Sequence, residues 1–280
     1  MRGPGWDWGS LMVRQFSLYG QRSVVVMLAM AMLCPWAMAD GVSDLRKTLK
    51  ELHATSPIAM DVQFRLFGRT GEAEDLIDRE GLINLRVEDG PKGVHIVYPE
   101  NVVALLHKEE LAKVADENVK NSALNAVGEF DYWEWRELMY PASQLELALE
   151  RLTFLGEQQD YYNGVPARLL TFSLPIEKID KKYRKYVKKY HHRFSLWIDE
   201  NGVPLASEMT ETGSGRVFLV VGFQFQNSFS MSYQHYGARL IGSRREVKEE
   251  THGAAMQSQR HFISTVTAVD YPATPSPVKK

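Results

Sequence analysis

The stretch Phe223–Gln234, FQFQNSFSMSYQ, puts Phe223, Phe225, Phe229, Met231 and Tyr233 on one parity. Gln224, Gln226, Ser228, Ser230, Ser232 and Gln234 take the other. Successive side chains of a β-strand point to opposite faces, so the pattern predicts a strand with one dry and one wet face. The dry row either packs into a filled core or lines a hollow for an apolar guest. Antiparallel sheets commonly bury one face in a core, whereas large side chains and methionine suit a surface that accepts varied guests. The sequence leaves both readings open.

The same period of two recurs on either side. Upstream, Met60, Val62, Phe64 and Leu66 alternate with polar residues, and Leu76–Val87 and Gly93–Tyr98 complete a three-stranded meander turned at Asp89-Gly90-Pro91. Strands are expected again at 153–162 and 167–174, joined by a hairpin turn at Tyr162-Asn163-Gly164. Others follow at 193–199, 205–212, 217–236, 239–248 and 256–269, with Gly213–Gly215 read as a turn. Helical spacing appears at Val42, Leu45, Leu49 and Leu52, closed by Pro57. It returns between 100 and 152, as one patch of Val102, Leu105, Leu106, Leu111 and Val114 and another over 138–152. Helix, meander, helices, then about seven strands, with no repeat and no linker, predict one α+β domain over residues 40–270.

The chain's beginning has a different character. Arg14 and Arg22 precede the apolar run Val24–Leu33, which ends in Ala37-Met38-Ala39. Basic region, short apolar region and small-residue site read as a secretory signal peptide over residues 1–39, cut near Ala39, and so as a periplasmic protein. The alternative, an uncut anchor, is short for a membrane span and is broken by Pro35. The one cysteine, Cys34, lies inside the leader, so the mature chain has no thiol for a disulfide, a nucleophile or a metal. Without residues 1–39 the chain keeps 30 basic and 34 acidic residues, a net charge of −4, which argues against nucleic-acid binding. The tail 271–280, with Pro272, Pro275 and Pro277, is expected to lack fixed structure.

Two stretches resemble a known family. LINLRVEDGPKGVHIVYPENVVALL, Leu82–Leu106, is a strand pair leading through Tyr-Pro into a helix, and FSLWIDENGVPLASEMTETG, Phe194–Gly213, is a strand pair about a turn. With the order of elements, these are similar to the LolA/LolB-type lipoprotein carriers, a fold that RseB-type periplasmic regulators share. The resemblance implies a large curved antiparallel sheet, an incomplete barrel, with helices covering its concave face and an apolar hollow for acyl chains or a lipidated protein segment. Phe223, Phe225, Phe229, Met231 and Tyr233 would then line the hollow, with Trp133 and Trp135 in the lid. The resemblance carries over no individual functional residue.

A second candidate is IEKIDKKYRKYVKKYHHR, Ile176–Arg193. Ile176, Ile179, Tyr183, Val187 and Tyr190 recur at three and four residue steps among seven cations, which predicts a basic amphipathic helix. Lys181, Lys182, Lys185, Lys188 and Lys189 would meet an anionic membrane surface or an acidic envelope protein, or would simply solvate the face.

Catalytic readings find little support. The chain has no H-E-x-x-H, no G-x-S-x-G and no phosphate-binding glycine loop. His191 and His192 are adjacent and would point apart on a strand, while His235, His252 and His261 are scattered. Glu129, Asp131, Glu134 and Glu137 flank Trp133 and Trp135, which fits a helix cap and aromatic plug better than a sugar-cleaving carboxylate pair. No cofactor or metal is expected. The sequence thus favours a non-enzymatic carrier of a lipid, acyl chain or lipidated protein. The alternatives are an envelope regulatory or scaffolding module acting through protein contacts, and an unrecognised hydrolase.

Overall fold

The computed structural model describes residues 40–53, 56–72, 75–217, 221–253 and 257–270. The expected signal peptide 1–39 with its Cys34 and the Pro-rich tail 271–280 lie outside the described residues. Helix α1 (Gly41–Glu51) precedes the meander β1 (Ile58–Glu72), β2 (Asp75–Gly90) and β3 (Gly93–Val97). Four helices follow: α2 (Glu100–Ala115), α3 (Ser122–Glu129), α4 (Tyr132–Met139) and α5 (Pro141–Arg151). After β4 (Thr153–Tyr162) and β5 (Val165–Ser173) come a 3-10 turn (Ile176–Lys178) and the single turn α6 (Lys181–Arg184). The chain then runs through β6 (Val187–Ile198), β7 (Pro204–Val217), β8 (Val221–Tyr236), β9 (Arg239–Gly253) and β10 (Gln257–Asp270).

These ten strands make one antiparallel sheet in the order β3-β2-β1-β10-β9-β8-β7-β6-β5-β4, which does not close into a barrel. The expected α+β architecture is therefore present. Local chemistry fixes its turns. Asn163 and Gly164 both take positive φ, 50° and 79°, as a two-residue hairpin loop requires. Asp199 Oδ1 accepts from the N–H groups of Asn201 and Val203, both at 2.8 Å, shaping the turn into β7.

The helices pack on one face of the sheet in two apolar clusters. In the first, Phe64, Ile83, Leu85 and Phe262 meet Ala123 and Ala126 of α3, Leu138 of α4 and Phe130 between these two helices. In the second, Leu45 and Leu49 of α1 and Leu145 and Leu149 of α5 meet Leu170, Phe194 and Leu196. Tyr233 packs against both. Buried arginines tie the helices down. Arg239, 1% exposed, donates to Ser56 O at 2.8 Å and to Asp89 at 2.7 Å. Arg168 donates to Asp44 of α1 at 2.8 Å.

Three expectations are corrected. The predicted amphipathic helix Ile176–Arg193 is instead a 3-10 turn, one helical turn and the start of β6. From Tyr190 a period of two competes with the helical one, since Tyr190, His192 and Phe194 share a parity, and pairing with β7 satisfies the backbone. Gly213–Gly215 is no turn: β7 runs through it, paired residue by residue with β8. The single helix read over 138–152 breaks at Tyr140, with Pro141 at the first turn of α5, where its missing N–H costs nothing. The helical patch expected after residue 100 does form α2, where Val102 is buried while Leu105 and Leu111 are exposed and Val114 is 88% exposed.

Candidate functional site

Alternation along β8 holds as expected, and the structure divides the dry row into two halves. In the lower half, Met231 is buried and Phe229 and Tyr233 pack on the first cluster beneath α4. Gly242 of β9 lets this helix approach, because a β-carbon there would crowd Met231 Sδ and the backbone of Leu138. Tyr233 shares a hydrogen bond with Ser207 at 2.7 Å, and burial raises its phenol above the ordinary tyrosine value. That half of the row faces packed protein.

A buried ionic patch locks the lid over it. Asp131 caps α4, accepting from the Trp133 N–H at 2.8 Å. Three residues on, Glu134, 5% exposed, accepts from Arg245 Nη1 at 2.5 Å and from Ser264 Oγ at 2.9 Å. Glu137 also pairs with Arg245, and Glu129 at the end of α3 pairs with Arg260. Burial pushes the Glu134 carboxyl up, against the pull of Arg245. The carboxylates beside Trp133 and Trp135 thus cap and clamp helices.

The upper half of the row is built differently. Phe223 and Phe225 stack on each other, ring centroids 6.3 Å apart, beyond the reach of either apolar cluster. They pair with Gly215 and Gly213 of β7, where a β-carbon would collide with the phenylalanine rings. Glycine in the middle of this strand therefore makes room for aromatic rings lying across the sheet. The Tyr186 carbonyl also crosses over Gly215 and accepts from the Arg216 N–H at 3.0 Å.

This return of the chain roofs an open groove of about 740 Å³, lined by Ile179, Tyr186, Val187, Tyr190, Phe223 and Phe225 with Glu211, Asn227 and Thr251. Its volume falls in the range of small-molecule sites, roughly 300–1,000 Å³. Its polar groups are few and largely satisfied. Glu211 accepts from the Tyr190 hydroxyl at 2.8 Å and from Asn227 Nδ2 at 3.0 Å. Burial first, and then Glu211, raises the Tyr190 phenol well above its ordinary value, so it stays neutral and donates.

The two sequence candidates, the apolar row and the basic insertion, thus meet in one place. Phe223 and Phe225 join Ile179, Tyr186, Val187 and Tyr190, while Phe229, Met231 and Tyr233 stay under the helices. Trp135 packs on the first cluster, and Trp133, 55% exposed, and Tyr132, 49% exposed, stand outside it with Arg136 over both rings. Neither tryptophan lines the groove. Lys185 lies over the Tyr186 ring, 4.7 Å from its centroid. Lys181 and Lys182 sit on α6, and Lys188 and Lys189 on β6. Glu211, Asn227 and the two glycines were missed; the signal for them was G-x-G in register with F-x-F, legible only once the pairing is known.

His192 accepts from the Leu174 N–H at 3.1 Å while His191 takes the other face of β6. Among the described residues no group of three or more His, Cys, Asp or Glu is placed to hold a metal ion. Nor, among them, is any helix long and apolar enough to cross a membrane.

Neither a family model nor a curated protein sequence matches this chain. Two solved structures align with most of it. One is described as an outer membrane lipoprotein-sorting protein domain from Vibrio parahaemolyticus: 9% identity, TM-score 0.32, 85% of this chain and 94% of that one. The other is a DUF1329 family protein from Desulfovibrio piger: 8% identity, TM-score 0.29, 83% of this chain and 92% of that one. The likeness is architectural, and at these scores it carries no weight for function.

Proposed function

We propose that this protein is a binding protein that holds an apolar chain, the acyl tail of a lipid or of a lipidated protein, in the groove beneath Ile179–Tyr190. One observation supports this above the rest: Phe223 and Phe225 are left uncovered by the helices that bury the remainder of their row, and line an open apolar groove instead. Taking a chain into it removes apolar surface from water at roughly 25 cal/mol per Å², before the costs of association. With the leader read at residues 1–39, the place of action is the cell envelope, reached by export. The N-terminus of the protein from its host, read by mass spectrometry, tests cleavage after Ala39.

Native mass spectrometry of protein purified without detergent, followed by organic extraction, tests the binding. A co-purifying lipid, or uptake of added fatty acid, is expected in the native chain and lost in Phe225→Glu and Phe225→Ala variants that keep the native far-UV spectrum. A clean apo mass with no uptake would sink this reading. A second reading has an observation of its own: the exposed pair Tyr132 and Trp133 suits a regulatory or scaffolding contact with another protein. Loss of a partner on Trp133→Ala, with lipid uptake unaffected, would favour it.

A further inference from the structure

The opposite face of the same strand ends has a different chemistry. Ser214 pairs with Gln224, and Gln224 with His252, in the registers that put Gly213, Phe225 and Thr251 on the groove side. Lys189 pairs with Ser214, and Lys188 is the extra residue of a β-bulge between Val187 and Lys189. Bulges re-aim side chains. Here Lys188, Ser214, Arg216, Gln224 and His252 line an open depression of about 720 Å³ with Gly215, Gly222, Gly253 and the edge of Phe223, which it shares with the groove.

Lys188, Lys189 and Arg216 are exposed, and among the described residues none has a carboxylate partner. Most cations elsewhere on the sheet's polar face are paired, as Arg69 is with Asp78 and Arg86 with Asp61 and Glu88. At the same end of the sheet the apolar Val221, which opens β8 and shares the parity of Phe223, is exposed. By composition alone, the residues between β7 and β8 are Phe218, Leu219 and Val220, which lie outside the described residues. Unpaired cations and the exposed apolar Val221 at one end of a sheet match the two layers of a membrane interface, anionic headgroups over acyl chains. An acidic protein surface would satisfy the cations but not Val221.

We propose that this end of the sheet, through Lys188, Lys189, Arg216 and Val221, docks on an anionic lipid surface. Docking stands on these residues whatever the groove holds; that it brings the groove to the membrane from which a chain is taken or to which it is given rests on the reading above.

The test is flotation of the full protein, purified from its host, with vesicles of phosphatidylcholine alone or mixed with phosphatidylglycerol, at low and high salt. Binding is expected to the mixed vesicles only and to weaken with salt. Each cation near an anionic surface is worth about fivefold in affinity. Lys188→Gln with Arg216→Gln should therefore weaken binding by about 25-fold, whereas Lys47→Gln with Lys50→Gln on α1 should not change it. Val221→Asp should weaken it as well. Equal binding to neutral vesicles, indifference to the Lys188 and Arg216 changes, or no flotation at all would overturn the proposal. So would charge-dependent binding to polyglutamate without binding to vesicles, which would point to an acidic protein. The Lys188 and Arg216 variant should still take up fatty acid and Phe225→Glu should still float, so failure here and failure of the groove reading are told apart.

Discussion

The carbonyl oxygen of Tyr186 occupies the space that a β-carbon on Gly215 would need. The segment that roofs the groove is therefore seated on a residue without a side chain, and the Arg216 N–H fastens it there at 3.0 Å. Gly215→Ala should displace this segment and cost roughly 1–3 kcal/mol, the range for inserting a methyl into a filled space. It should also lower fatty-acid uptake, while Gly222→Ala, where a β-carbon meets nothing, should do neither. Urea unfolding and a fluorescent fatty-acid titration of the two variants check this.

Tyr190 and Glu211 set the polar end of the groove. In Tyr190→Phe, Glu211 keeps only Asn227 as a hydrogen-bonded side-chain partner among the described residues, and a hydrogen bond to a charged group is worth about 1.5–3 kcal/mol. Replacing Glu211 by Gln as well should recover part of that loss. A double-mutant cycle on unfolding free energies reads the coupling, and additive losses would show that the two residues act independently.

The Tyr190 and Tyr233 phenols are both raised, by burial first. A raised value means that the folded state prefers the neutral phenol. The stability it brings is fully present below the unfolded tyrosine value of about 10 and is lost as pH rises through the folded one. Tyrosinate absorbance should therefore show a class that ionises only as the protein unfolds in alkali. This class should shrink in the Tyr190→Phe and Tyr233→Phe variants.

At the acid end the same sign rule runs the other way. Burial of Glu246 would raise its carboxyl, but hydrogen bonds from Lys248, Arg244 and His261 outweigh that and hold it at about 2. Its contribution is present above the ordinary glutamate range and is lost as pH falls from about 4.5 toward 2. Glu246→Gln should flatten the pH dependence of thermal stability in that window. An unchanged slope would place the acid sensitivity elsewhere.

Glu134 and Arg245 hold α4 to the sheet in a buried pair. Removing Arg245 should cost about 3–5 kcal/mol by leaving Glu134 as an uncompensated buried charge, whereas removing Glu134, or both, should cost less, because Arg245 without Glu134 still has Glu137. Thermal melts of Glu134→Leu, Arg245→Met and the double variant decide this. Because this clamp lies under α4 and away from the groove lining, fatty-acid uptake should survive in any variant that folds.

Much of this molecule could be read from the chain alone. Side-chain parity does not depend on what a strand packs against, so the dry row of β8, the β1–β3 meander, the Asn163-Gly164 turn and the apolar faces of α1 and α5 were all legible. The α+β architecture followed from their order. Tertiary structure alone decided what the row faces. Residues of one parity are equivalent in sequence, but α4 reaches only as far as Phe229, and beyond it Phe223 and Phe225 meet the returning chain at Tyr186. Pairing with β7 likewise turned the end of a predicted helix into strand, and made Gly213 and Gly215 a seat for aromatic rings where the sequence had suggested a turn. Those outcomes depend on which backbone lies alongside, at separations in the chain that no local pattern encodes.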